Sequence, residues 1–177
     1  EFEDGSVLSK PTKFFNDYQN LFFFSERKCM VCHDHYGYNA DISVGDIWLF
    51  ALKKNPIKHT GVIVRNSCGQ KAWESAVATN VVHSSEMDIR SIMDGQSRIG
   101  PSHYNDTARH KAGKRLGFKI KDTVAQPVSW HSYLNALITL ANLRLSEKSW
   151  GQSLIFATPR PFLKFYLYIK KALESLK

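Results

Sequence analysis

Residues 29–48 constrain this chain more than any other stretch. They read Cys29-Met-Val-Cys32-His-Asp34-His-Tyr-Gly-Tyr-Asn-Ala40-Asp41-Ile-Ser-Val-Gly45-Asp46-Ile-Trp48. Two thiols three positions apart lie about one turn from each other, so both can reach one metal centre. A polar loop with Gly37 and two tyrosines follows. The β-branched run after it carries two carboxylates, a glycine and a tryptophan. Lys53-Lys54-Asn55-Pro56 reads as a turn, and Thr60 to Arg65 is a second β-branched run. Strands are therefore expected over 42–50 and 60–65.

Helical spacing dominates elsewhere. Phe14, Tyr18, Leu21 and Phe22 recur as one stripe, with Ser9 as a candidate cap and Pro11 in the first turn. Asp4-Gly5 suits a hairpin turn. Short helices are expected over 70–77 and 88–93, with a strand at Val81-Val82. Residues 94–128 are rich in glycine, proline and polar residues, with room for a basic helix near 105–116. Ser129 can cap a helix whose stripe is Leu134, Leu137, Ile138, Ala141 and Leu145. Thr158-Pro159 opens a last helix, with Phe165, Ile169, Ala172, Leu173 and Leu176 on one face. Gly151 separates the two. The expected class is α/β: a mixed sheet with flanking helices and a helical C-terminal hairpin.

The apolar share, 43%, supports a real core, and no run reaches the apolar length of a membrane span. Three cysteines, two of them in Cys-x-x-Cys, argue against a disulfide framework, so a cytoplasmic, reducing setting is expected. The net charge is +8, and its excess falls late: Arg109, Lys111, Lys114, Arg115, Lys119, Lys121, Arg160, Lys164, Lys170, Lys171 and Lys177. Such a face attracts anions or is simply solvated. No nucleic-acid recognition motif accompanies it. The segment from Arg109 to Arg115 is the candidate anion subsite.

The residues leave the chemistry open. Cys29 and Cys32 suit two of the four thiolates of an iron–sulfur cluster. They also suit a zinc site completed by His35 with Asp34 or Cys68, or plain structural thiols. Asp41 and Asp46, five apart, face opposite ways on a strand and form no acid–base pair. Gly45 allows a bulge or a ligand's close approach. Trp48 alone reads as core, His59 alone as a surface histidine. Arg65 suits a pyrophosphate or a salt bridge equally. A Gly-Asp strand ahead of His59-Thr60-Gly61 also resembles cysteine hydrolases of the permuted papain type. Those need a nucleophilic thiol within reach of the histidine, and nothing after Cys68 qualifies.

Taken together, Cys29-x-x-Cys32-x-Asp34, the loop and Ala40-Asp41-Ile-Ser-Val-Gly45-Asp46 resemble the C-terminal domain of the coenzyme F-420 hydrogenase/dehydrogenase beta-subunit family. Glu1-Phe-Glu-Asp-Gly5-Ser and His59-Thr60-Gly61-Val-Ile-Val-Arg65 followed by Gly69 extend the resemblance. It implies a domain over 1–125 with a helical extension over 126–177. It also implies an iron–sulfur flavoprotein oxidoreductase holding FAD and a [4Fe-4S] cluster. Cys29 and Cys32 would be cluster ligands. Asp41, Gly45, Asp46, Trp48, His59, Thr60, Gly61 and Arg65 would lie in the flavin region. The implied partners are an N-terminal iron–sulfur domain of the same protein, missing here, and a deazaflavin or other electron carrier. With no starting Met, the chain is expected to be a piece of a longer protein, holding zinc or no metal when isolated. Similar sequences occur among bacterial cell-surface polysaccharide gene sets, where no deazaflavin is needed. The alternative is a zinc-stapled interaction or nucleic-acid-binding module without redox activity.

Overall fold

A computed structural model describes residues 5, 7, 9–32, 34, 36–47, 49, 52, 59–95, 105–122 and 125–176. In chain order the elements are α1 (Thr12–Asn20), a 3-10 turn (Arg27–Met30), β1 (Ile42–Asp46), β2 (Thr60–Val64), α2 (Ser67–Ala78), α3 (Ile89–Gly95), α4 (Asp106–Leu116), α5 (Trp130–Ser146), α6 (Ser149–Ala157) and α7 (Arg160–Ser175). The class is mixed α/β, weighted to helix. The described strands form a two-stranded antiparallel sheet. The chain makes two compact units: Glu1–Cys32 with Pro101–Lys177, and His33–Gly100.

The first unit is helical. Asn105 caps α4 by accepting from the Ala108 amide at 3.0 Å, and Gly117, at φ +74°, ends it in the left-handed conformation glycine favours. Ala108 and Ala112 present a shallow face, so α4 lies close to α5. Met30, Phe118, Ile120, Ala136, Leu140 and Leu143 complete that core. A second cluster gathers Tyr18, Leu21 and Phe23 with Ile155, Leu163 and Leu167. The turn after α1 is pinned to α5. Asn142 donates to the Leu21 carbonyl at 2.8 Å, and the Ser146 hydroxyl accepts from the Phe24 amide at 3.0 Å. These bonds hold Phe22 and Phe24 at φ +61° and +60°, a region side chains with a Cβ rarely occupy.

Several expectations change here. Pro11, not Ser9, stands at the start of α1. Gly151 is no break: it lies inside α6, where an added Cβ would strike the Leu145 carbonyl. On α5 the deepest positions are Ala136, Leu140 and Leu143 with Asn135, Thr139 and Asn142, while the expected stripe is half-buried. On α7 the phase is turned. Leu163, Leu167, Lys170 and Leu173 face in, whereas Phe165, Ile169 and Leu176 stay exposed. Ser129 does cap α5, accepting from the Ser132 amide at 3.2 Å.

The charge reading changes too. Arg109 and Lys170 are 4% and 1% exposed, so neither belongs to a solvated basic face. Lys170 pairs with Glu174 one turn on and lies 4.7 Å from the centre of the Phe22 ring. Arg160 pairs with Asp17 at 2.7 Å.

In the second unit β1 and β2 pair in register Ile42↔Val64, Ser43↔Ile63, Val44↔Val62, Gly45↔Gly61 and Asp46↔Thr60. Helix α2 is longer than its periodicity predicts because Asn66 caps it, accepting from the Gly69 amide at 2.9 Å. Val81-Val82 form no strand; no neighbouring strand offers them a ladder among the described residues.

Candidate functional site

The two thiols flank one tight turn of the first unit. The Cys29 amide donates to the Glu26 carbonyl at 3.0 Å, and Val31 to Lys28 at 3.3 Å. A turn this short puts successive side chains on different sides. Met30 points into the core at 1% exposure, and Cys29 and Cys32 are exposed and unbridged. Both ends of the turn are anchored. Arg27 forms a two-pronged pair with Glu147, at 2.5 and 2.7 Å, and stacks 5.3 Å from the Phe118 ring centre. That pairing holds the Glu147 carboxyl below its ordinary range, chiefly through the Arg27 hydrogen bond. From α4, Arg109 donates to the Met30 carbonyl at 2.6 Å. Burial lowers the Arg109 guanidinium to about 10, with Asp106 pulling the other way.

The signature loop of the second unit is a hydrogen-bonded knot. The Asp34 carboxylate accepts from the Tyr38 amide at 2.7 Å, and the Gly37 carbonyl from Ala40 at 3.0 Å. Gly37 sits at φ +64°, and a Cβ there would lie 2.8 Å from the Ser43 hydroxyl. Arg65 ties the loop to β2. It donates to the Tyr36 carbonyl at 2.5 Å, the Ser43 hydroxyl at 2.6 Å and the Ala40 carbonyl at 3.3 Å, and lies over the Tyr38 ring. The Asp41 carboxylate accepts from the Asn66 amide group, and its backbone carbonyl from the Arg65 N–H at 3.0 Å. A Cβ on Gly69 would lie 2.5 Å from that same carbonyl.

The sequence-derived site residues thus fall in different units. Cys29 and Cys32 belong to the first unit. Asp41, Gly45, Asp46, His59, Thr60, Gly61 and Arg65 belong to the second. Gly45 lies opposite Gly61, and Asp46 opposite Thr60, so four of these residues form two adjacent rungs. Among the described residues nothing stands within 4 Å of a Cβ built on Gly45, whereas one on Gly61 would meet Ile47 at 2.9 Å. Asp46, His59 and Thr60 are exposed. Asp41 lies at the other end of β1, about 17 Å away at ~3.3 Å per residue, too far to share a proton with Asp46. Trp48, His33, His35 and the Lys53–Pro56 turn lie outside the described residues, as does most of the Glu1–Ser6 hairpin. Sequence reading missed Tyr36, Ser43, Asn66 and the crowding at Gly69; the Asn before a Ser-x-Gly helix start was the one legible cue.

Two soft, exposed thiols on one turn fit part of a thiolate ligand set. They do not complete one. Among the described residues no three His, Cys, Asp or Glu side chains gather to hold a metal ion. Cys68 lies at the exposed start of α2, in the other unit.

The match to known families covers this same ground. Residues 1–90 match the family described as the C terminus of the coenzyme F420 hydrogenase/dehydrogenase beta subunit. The chain belongs to that family. The matched span takes in the Cys29–Cys32 turn, the signature loop, the β1–β2 pair and α2. Membership relates the chain to the subunits of an oxidoreductase; helices α4 to α7 lie beyond the matched residues. No curated protein and no solved structure matches significantly. Among the described residues no helix is long and apolar enough to cross a membrane.

Proposed function

We propose that the chain is the C-terminal part of an iron–sulfur flavoprotein oxidoreductase. Cys29 and Cys32 give two thiolates to a [4Fe-4S] cluster whose other ligands come from an N-terminal domain of the intact protein. The observation that carries this reading is a pair of exposed thiols, in no disulfide, on an anchored turn in a family of redox subunits. When bound, a flavin beside such a cluster lets a two-electron carrier exchange with one-electron carriers. The chain's own part is positional. Arg27 and Arg109 fix the turn from both ends, which keeps the thiols aimed outward.

FAD is assigned to the rungs Gly45–Gly61 and Asp46–Thr60, with His59 next in sequence to Thr60; the Trp48 assignment falls outside the described residues. Gly45 supports this because bare, open backbone lets a flat ring approach closely. Asp41 and Arg65 are assigned to holding the loop, since Asp41 accepts from Asn66 at the start of α2 and Arg65 donates to Ser43. The electron donor is a deazaflavin coenzyme or another hydride carrier.

The test is the full-length protein purified without oxygen, with its visible spectrum and its iron, zinc and flavin content. A flavin and about four irons per chain are expected, and the iron should vanish in Cys29→Ser/Cys32→Ser. Colourless protein with stoichiometric zinc would replace this reading by the zinc-stapled module.

A further inference from the structure

Helix α7 carries two apolar faces, and among the described residues only one is covered. Leu163, Leu167 and Leu173 pack inward against α1 and α5. Phe162, Phe165 and Ile169, continued by Leu176 at the helix end, recur three, four and seven residues apart, so they share a second stripe. That stripe faces water. Phe162 and Phe165 are each 67% exposed, Tyr168 at its edge 65%, Ile169 43% and Leu176 47%.

The outward charges of α7 have one sign and line one edge of the stripe. Lys164 is exposed and Lys171 partly so. The only carboxylate of the helix, Glu174, is turned inward to Lys170, its side chain 7% exposed. The outward surface of α7 is therefore aromatic, aliphatic and cationic.

We propose that this face of α7 lies on an anionic bilayer surface. Phenylalanine and isoleucine suit the acyl boundary, tyrosine the headgroup level, and lysines reach lipid phosphates along their apolar stems. A second copy of the chain is a poor occupant. It would set like-charged lysines and a net +8 against the same. A helix held by its inner face cannot span the membrane; it binds lengthwise, as a surface element.

The experiment is co-sedimentation of the full chain with large unilamellar vesicles, of phosphatidylcholine alone or with 30% phosphatidylglycerol. Circular dichroism verifies that each variant is folded. Partitioning should be at least about tenfold stronger onto the anionic vesicles and weaken with salt. Phe162→Ser/Phe165→Ser and Lys164→Glu/Lys171→Glu should each lose it by about tenfold or more. Lys119→Glu/Lys121→Glu, which changes the net charge equally but on exposed positions between α4 and α5, should keep it. Equal loss in that control would overturn the proposal, as would equal affinity for neutral vesicles or none for either. So would a wild-type dimer or complex with an acidic protein that the phenylalanine variant dissolves without any lipid binding.

Discussion

Arg109 and Met30 are joined by a hydrogen bond across 79 residues of sequence: the guanidinium Nη1 donates to the Met30 carbonyl at 2.6 Å, both residues being buried. The bond clamps one of the two residues between the thiols to the helix core. Arg109→Met keeps the length but removes the donor and orphans a buried carbonyl. It should destabilise the chain by about 1–3 kcal/mol, read as a lower urea midpoint at unchanged slope. Arg109→Lys, which keeps a donor, should lose less.

Two glycines should respond oppositely. Gly69→Ala forces a Cβ against the Asp41 carbonyl, which is backbone and cannot swing away. We expect a loss of about 1–3 kcal/mol by thermal or urea unfolding. Gly45→Ala meets open space, has no positive φ, and should be neutral or gain up to about 1 kcal/mol. If Gly45 is the flavin approach, the same variant should be well folded yet flavin-poor. Full flavin content in folded Gly45→Ala would remove that assignment.

Arg65→Lys should loosen the signature loop. Lysine carries one ammonium and cannot reproduce the fork that meets the Tyr36, Ala40 and Ser43 oxygens. Amide hydrogen exchange should accelerate across residues 38–43, while α2, capped separately by Asn66, keeps its protection. Unchanged exchange in the loop would show that the three bonds are dispensable.

The pH dependence follows from Glu147. Its carboxyl is held below the ordinary 4.5, chiefly by the hydrogen bond from Arg27. The stabilisation is therefore complete above the unfolded value and disappears as pH falls through the lower folded one. Glu147→Gln should flatten the acid-side decline in stability below about pH 4.5. A wild-type slope in the variant would assign that decline to other carboxylates. Because Arg27 is largely exposed, the effect should shrink in high salt.

The helices, the Ser129 cap and the strand pair were legible because they are local. Ser129 caps α5 where expected, and β-branched runs mark both strands, whereas Pro11 stands in place of Ser9 at α1 and the Asn105 cap carried no expectation. Phase was harder. The apolar residues of α7 lie on two faces, and spacing alone cannot say which face the core takes. The same blindness placed Arg109 and Lys170 among solvated charges, since a buried cation and an exposed one have identical sequence. In the candidate site, Asp41 and Arg65 were visible as chemically able residues. Their partners were not, because Ser43, Asn66 and Tyr36 carry no pattern that announces a long-range bond.

By itself, then, the sequence determined the redox family, the Cys29–Cys32 turn and the mixed α/β class, all of which follow from residue type and short-range spacing; its weighting to helix was the structure's. Tertiary structure decided that Gly45 faces Gly61, that Arg65 holds a loop, that Met30 is buried between two outward thiols, and that α7 leaves an aromatic stripe in water. The reason is physical. Capping and periodicity act within a few residues, whereas register, burial and hydrogen-bond partnership are settled by competition among segments distant in sequence.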